Sequence, residues 1–407
     1  MGCKVWGPLQ ARGRKPPDLD VKLAPIISSG FSTLSIGRRE RDSSPLKKEV
    51  IGLPAATPRS KRTPVPEFPK SSTFSGSSKP PTPSPSICHL LSAFFSILVA
   101  GSTAIDQTGH YAGDFEEYQA RYPINALNLS FQLTEMHTSF GGCAPNIAWG
   151  LCQLGVKALP LSSAGRNFED RYSAHLRANN IETKYIAIDE NSENSASCVM
   201  VNDSVGNQII GFYPGPDSSK RKLPSEITEI DSIALAILGP EAPTLCLQQA
   251  RDLARIDVPF VFDPGQVVGD YKRNDILELL SLADYLILNN HEFGVLQTNG
   301  ELSAEDIYSK VSEVVVTNGA EGVDLVSGTK TLHVQAVNGI EIIDVTGCGD
   351  AFRAGYLYGV INQFDTRTRA ELGCIMAMLN LQTPHTQNYR TDLKQVMELK
   401  EHYYGQH

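Results

Sequence analysis

Asp344-Val345-Thr346-Gly347-Cys348-Gly349-Asp350-Ala351-Phe352-Arg353-Ala354-Gly355 brackets two glycines between two carboxylates at the point where a helix is expected to begin. Upstream, Gly339-Ile340-Glu341-Ile342-Ile343 alternates as the end of a strand would; downstream, residues 351–358 have helical spacing and no proline. Gly347 and Gly349 let the backbone turn tightly and present bare N–H groups, and the helix start adds partial positive charge. Such a corner binds anions without a lysine. A carboxylate at Asp350, inside that site, is electrostatically awkward unless it takes a proton from an attacking hydroxyl. The plainer reading makes the segment a glycine turn with Asp350 as helix N-cap.

Around this corner the chain reads as alternating strand and helix. Short apolar runs of strand length lie at 96–100, 158–164, 233–238, 259–263, 285–288 and 314–317, and helical stretches at 146–154, 170–179, 244–256, 274–282 and 304–310. That alternation predicts an α/β fold with a mostly parallel sheet covered on both faces. Several strands end in polar or small residues, at Asp263-Pro264-Gly265, Asn289-Asn290-His291-Glu292 and Thr317-Asn318-Gly319, which is where open α/β sheets bind ligands. Residues 111–140 and 196–216 break the rhythm. The runs 197–201 and 208–213, joined by a turn at 202–207, predict a small antiparallel sheet inserted as a lid, or as a flap that forms a dimer.

The 407 residues divide by charge. Residues 1–90 carry 15 Lys and Arg against 6 Asp and Glu, leaving 21 against 39 over residues 91–407, so the body is acidic and ill suited to nucleic acid. The basic, Pro/Ser-rich segment 1–90 has little apolar periodicity and is expected to be a disordered leader. An organelle transit peptide and a start codon assigned too early are alternatives. Met1-Gly2-Cys3 resembles an acylation start, but Trp6 stands where Ser or Thr is wanted. The apolar run 90–100 is far shorter than the roughly 20 residues that span a bilayer, so it is read as the first buried strand. Eight cysteines without a C-x-x-C pair argue against zinc and for reduced thiols, hence a cytoplasmic protein unless the leader directs it to an organelle.

Residues 96–395 resemble the ribokinase-like (PfkB) carbohydrate kinase family. Asp344 to Asp350 is similar to its D-x-T-G-x-G-D signature, and Gly141-Gly142-Cys143-Ala144-Pro145-Asn146-Ile147-Ala148 with Leu154-Gly155 is similar to its amino-terminal signature. The agreement extends, in order, to residues 101–106, to Asn289-x-x-Glu292 and to Thr317-Asn318-Gly319-x-x-Gly322. Asp263-Pro264-Gly265-Gln266, Phe352-Arg353 and Thr386-Gln387 resemble the bacterial and archaeal adenosine or nucleoside kinases of that family.

The resemblance implies a three-layer α/β/α sandwich over about 91–400 with a small β-sheet lid. It implies a kinase that moves the γ-phosphate of ATP, with Mg²⁺, to a hydroxyl of adenosine or another nucleoside, or of a free sugar such as ribose or fructose. Asp350 would be the general base, with Gly347, Cys348 and Gly349 offering N–H groups to the γ-phosphate. Asp106, Gly141, Gly142 and Asn146 would hold the ribose hydroxyls. Asn289 and Glu292 would organise Mg²⁺ and its water, and Thr317, Gly319 and Gly322 would line the ATP pocket. Asp344 would brace the loop beside a monovalent cation such as K⁺. A homodimer through the lid is expected. The plainer alternatives are turn and cap roles for Asp106 and Asn146, a solvated loop at Asn289 and Glu292, and an ordinary turn at Thr317-Asn318-Gly319. Cys348 stands where the family has alanine, offering a point of oxidation, and His385 stands in place of a glycine.

Two other enzyme classes fit poorly. Gly347-x-Gly349-x-x-Phe352 lacks the third glycine of a dinucleotide fingerprint, and no G-x-x-x-x-G-K-[ST] occurs. A catalytically silent binding or regulatory protein of the same fold would have no need of Asp350 beside an anion site.

Overall fold

The computed structural model describes residues 95–121, 130–205, 207–216, 218 and 221–405. The expected leader and the stretch 122–129 of the expected lid therefore lie outside the described residues.

Among the described residues the strands form one nine-stranded and one four-stranded sheet. The large sheet is built from β1 (Ser96–Ala100), β4 (Lys157–Gly165), β5 (Ile186–Asp189), β8 (Ile233–Leu238), β9 (Phe260–Phe262), β10 (Tyr285–Asn289), β11 (Glu313–Thr317), β12 (Val323–Ser327) and β13 (Lys330–Val334), in the order β13-β12-β11-β10-β9-β8-β1-β4-β5. From β11 to β5 every pairing is parallel, while β11–β12 and β12–β13 are antiparallel. All five β1 residues are buried, as a strand covered on both faces requires.

Alternation along the strands splits the core in two. Ile97 and Val99 of β1, Leu235 and Ile237 of β8 and Ile287 of β10 face one way, packing with α2 (Cys143–Gln153), α3 (Tyr172–Ala178), α8 (Cys348–Ile361) and α9 (Thr366–Leu381). Leu98, Ala236, Leu238, Leu286 and Leu288 face the other way, against α4 (Pro243–Arg255), α5 (Arg273–Leu282), α6 (Asn290–Gly300) and α7 (Ala304–Tyr308). The three layers follow from that alternation. The last helix, α10 (Leu393–Tyr404), adds Val396 to the first face.

The small sheet consists of β2 (Ala104–His110), β3 (Glu135–Gly141), β6 (Ser197–Asn202) and β7 (Gln208–Tyr213), in the order β3-β2-β6-β7, with α1 (Phe115–Arg121) between β2 and β3. The expectation here needs two corrections. The sheet begins at residue 104, not 111, because β2 leaves the large sheet after only Gly101-Ser102-Thr103. It is also mixed, since β2 and β6 pair in parallel while β2–β3 and β6–β7 are antiparallel. A third correction concerns residues 339–343, expected as a strand end, which form an irregular segment. Ile342 and Ile343 are 59% and 54% exposed, so no packing rewards an extended pairing there.

Among the described residues no helix is long and apolar enough to cross a membrane. Cys143, Cys152, Cys198, Cys246, Cys348 and Cys374 are free thiols.

Candidate active site

The glycine corner starts α8 as expected, with one change of position. Gly347 is the N-cap at φ 77, so Asp350 occupies the first turn and is not the cap. At that positive φ a side chain is strained, and a Cβ would also lie 2.6 Å from Thr386 Cγ2. The Ala351 N–H closes back onto the Gly347 carbonyl at 2.9 Å. The N–H groups ahead of it belong to the turn that a helix leaves without intrahelical acceptors.

Asp350 is half-buried, and its Oδ2 accepts a 2.8 Å hydrogen bond from Asn146 Nδ2 on α2. Burial pushes its pKa up to about 6, against the pull of the Arg353 charge and the Asn146 bond; Asp263 and Asp106 add to the rise. Arg353, one turn along α8, forks onto Asp263 at the carboxyl end of β9, with 2.6 Å from Nη2 to Oδ1, and donates to the Gly349 carbonyl at 3.0 Å. The glycine corner is thereby tied to the large sheet.

Asp106 lies on β2, where the Cys198 N–H donates to its Oδ1 at 3.1 Å and burial raises its pKa. A Cβ on Gly141 would sit 2.2 Å from Asp106 Oδ2, so a glycine at 141 is what makes room for that carboxylate. Gly142 follows as the N-cap residue of α2. Asp106, Gly141, Gly142, Asn146 and the 347–350 corner thus meet where the small sheet joins the large one.

The remaining expected residues lie along the strand ends. Asn289 and Thr317 are register partners on β10 and β11. Asn289 caps α6 by accepting the Glu292 N–H at 2.8 Å, and its own N–H donates to Glu292 Oε2 at 2.8 Å. This is a structural cap and no solvated loop; burial raises the Glu292 pKa. Gly319 and Gly322 flank the short 3₁₀ turn Gly319–Glu321 beyond Thr317, and the Asn318 N–H closes it onto the Gly322 carbonyl at 2.7 Å. Asp344 accepts the N–H groups of Thr346 and His385, both at 2.8 Å; these outweigh burial and leave its pKa lowered. His385 has φ 64, the conformation its glycine counterpart would adopt without strain. Burial, reinforced by the Asp350 charge, raises the Cys348 thiol, which works against the oxidation its position suggested.

Among the described residues no group of three or more His, Cys, Asp or Glu could hold a metal ion. A magnesium ion carried mainly by phosphate oxygens and water, touching one carboxylate such as Glu292, is compatible with that donor set.

Sequence reasoning passed over Gln387, Tyr172 and His175. Gln387 Nε2 donates to Asn146 Oδ1 at 2.8 Å and to the Tyr172 hydroxyl at 2.7 Å, and its Oε1 lies 3.1 Å from His175 Nε2. Thr386-Gln387 drew notice only as a terminal element, because contacts across so much chain leave no local pattern.

A family model described as pfkB family carbohydrate kinase matches residues 101–392. A nucleoside kinase of Methanocaldococcus jannaschii is 28% identical over 298 residues, which span 72% of this chain and 96% of that protein. Among solved structures, the Burkholderia thailandensis nucleoside kinase in complex with inosine is similar at a TM-score of 0.68 and 30% identity, covering 76% of this chain and 99% of that one. The same protein in complex with ADP-inosine gives a TM-score of 0.64 at 30% identity over 76% and 96% of the two chains.

Proposed function

Because the chain belongs to the pfkB family of carbohydrate kinases, an ATP-using nucleoside or sugar kinase of ribokinase fold, we propose that its acceptor is the ribose hydroxyl of a nucleoside, adenosine or another purine nucleoside first. The observation that carries this reading is the Asp350 carboxylate, held by Asn146 in the first turn of α8 with a pKa pushed up to about 6. That value sits close enough to neutrality for a base that must be ionised yet able to accept a proton. The nucleoside is favoured over a free sugar by the inosine that the Burkholderia protein binds.

In this mechanism Asp106, with Gly141, Gly142 and Asn146 around it, accepts hydrogen bonds from the ribose hydroxyls and orients the acceptor. The acceptor O–H breaks toward Asp350, its oxygen forms a bond to the γ-phosphorus, and the bond from that phosphorus to the bridging oxygen breaks, releasing ADP. The N–H groups of Gly347, Cys348 and Gly349 meet the charge spread over the transferring group. Thr317, Gly319 and Gly322 line the nucleotide side. Asn289 and Glu292 would hold Mg²⁺ and its water, and Asp344 would brace the loop beside K⁺; the divalent ion would supply charge neutralisation on the phosphates. A homodimer through the small sheet and a cytoplasmic setting complete the reading.

The test is Mg²⁺-dependent ATP consumption against adenosine, inosine, other nucleosides, ribose and fructose. Nucleoside turnover that Asp350→Asn lowers by about 10²–10⁴-fold supports the assignment. Turnover on the free sugars alone overturns the nucleoside, and undiminished activity of the variant overturns the base.

A further inference from the structure

We propose that Gln387 is a positioning residue for phosphoryl transfer: it fixes which end of the Asn146 amide meets Asp350, and it joins that amide to Gly141 at the root of the small sheet. The proposal rests on the reading of Asp350 as the base.

The argument is a count of hydrogens. Tyr172 donates its O–H to the Gly141 carbonyl at 2.7 Å, so its oxygen is left to accept. Gln387, only 3% exposed, gives one N–H to that oxygen and the other to Asn146 Oδ1. Its own Oε1 can then only accept, which selects the His175 form that carries its hydrogen on Nε2. His175 lies flat on Trp149, with ring centroids 5.2 Å apart, which holds the far end of the chain still. Every donor therefore has one acceptor, and the sense of the chain is set.

The consequence falls on Asn146. A carboxamide keeps its shape when turned end for end, so packing alone does not decide whether nitrogen or oxygen faces Asp350. The Gln387 donor does: it claims Oδ1 and leaves Nδ2 for the carboxylate. The bond favours ionised Asp350, and a reversed amide would favour the protonated acid.

The other groups facing Asp350 are Arg353 and Cys348 on α8, Asp263 after β9, Asp106 on β2, Cys143 on α2, Tyr172 on α3 and Tyr389 beyond α9. Of these only Tyr172 touches the Gln387 amide, and its O–H is given to Gly141, so a neutral change at 387 reaches Asp350 through Asn146.

The experiment is the pH profile of kcat/KM for the full chain carrying Gln387→Glu. A carboxylate at that position only accepts, so Asn146 must turn its nitrogen toward it and its oxygen toward Asp350; its charge also opposes ionisation of Asp350 directly, so the neutral Gln387→Leu below carries the decision. The acid limb should move up by about one pH unit or more, read as a roughly tenfold or greater loss below the limb that high pH largely restores, with KM for ATP unchanged. Gln387→Leu, which removes the donor without reversing it, should move the limb in the same direction by less, and it decides the matter if the first variant fails to fold. Tyr172→Phe takes away the acceptor that sets the sense of Gln387 together with the bridge to Gly141, so it should lower the melting temperature and move the limb up no further than Gln387→Leu does. A wild-type limb in folded Gln387 variants, whatever their overall rate, overturns the proposal. Asp350→Asn separates the two levels: undiminished activity there removes the base and this proposal together, whereas lost activity with an unmoved Gln387 limb removes the positioning role alone.

Discussion

The two sheets of this protein obey opposite rules. In the large sheet the central strands β1 and β8 are sandwiched between helix layers, and Ile97, Val99 and Ile237 are fully buried. In the small sheet β7 is an edge strand whose Ile209 and Ile210, of opposite facing, are 41% and 55% exposed; Phe212 and Tyr213 are exposed as well, as are Val199 on β6 and Met136 on β3. The large sheet carries its own core and can hold the glycine corner rigidly. The small sheet does not bury its apolar side chains by itself, so its stability depends on what it is placed against. Asp350 belongs to the first regime through the Arg353–Asp263 pair, and Asp106 to the second.

Substitutions can break this contrast. The largest effect on stability belongs to the scaffold: Ile237→Ala should lower unfolding free energy by about 2–5 kcal/mol, measured by denaturant titration. Next is Asp106→Ala, which on the proposed reading removes an acceptor from the ribose and should cost about 1.5–3 kcal/mol in kcat/KM for the nucleoside, roughly ten- to a hundredfold. Its melting temperature should stay close to wild type; a large drop would make Asp106 a structural residue of the small sheet.

The third test has a sign that separates function from stability. Asp350 has a folded pKa near 6 against an ordinary 3.8, so the folded chain holds its proton more tightly. Its contribution is favourable below about pH 4 and is lost as pH rises through 6. Asp350→Asn should therefore be more stable than wild type at neutral pH, by about 3 kcal/mol, with the gap closing in acid. A gap that widens in acid would mean that the carboxylate is stabilised in the fold. The smallest stability effect is expected at Phe212→Ser, under about 0.5 kcal/mol per chain. Its larger consequence should appear in sedimentation, where the proposed dimer shifts to monomer; a wild-type chain already monomeric at micromolar concentration rules that dimer out.

How much of this the sequence revealed follows the same division. Strands of the large sheet stand out as apolar runs because they are covered twice, and the predicted run 233–238 coincides with β8. The glycine corner is legible because Gly347 must take a positive φ. β2 is Ala-Ile-Asp-Gln-Thr-Gly-His, a strand without an apolar face, so it is missing from the apolar runs of strand length. Ile340, Ile342 and Ile343 misled in the other direction, since an alternating pattern says nothing about whether a partner strand exists. The β12–β13 hairpin turns at Gly328-Thr329 between alternating runs, a pattern that the sequence displays. The Gln387 network carried none, being assembled from α2, α3 and the segment after α9.

The parallel pairing of β2 with β6 also bears on the order in which the molecule folds. Parallel partners need a crossover, and here the crossover contains α1, β3, α2, β4, α3 and β5. Loop closure over that length is costly until β1 and β4 have already paired. The small sheet is thus expected to form after the large one, on a body whose anion corner is already in place. Newly made chains should pass through a stage in which β7 is an unpaired, apolar edge, and that stage is where a chaperone or a second chain would find the protein.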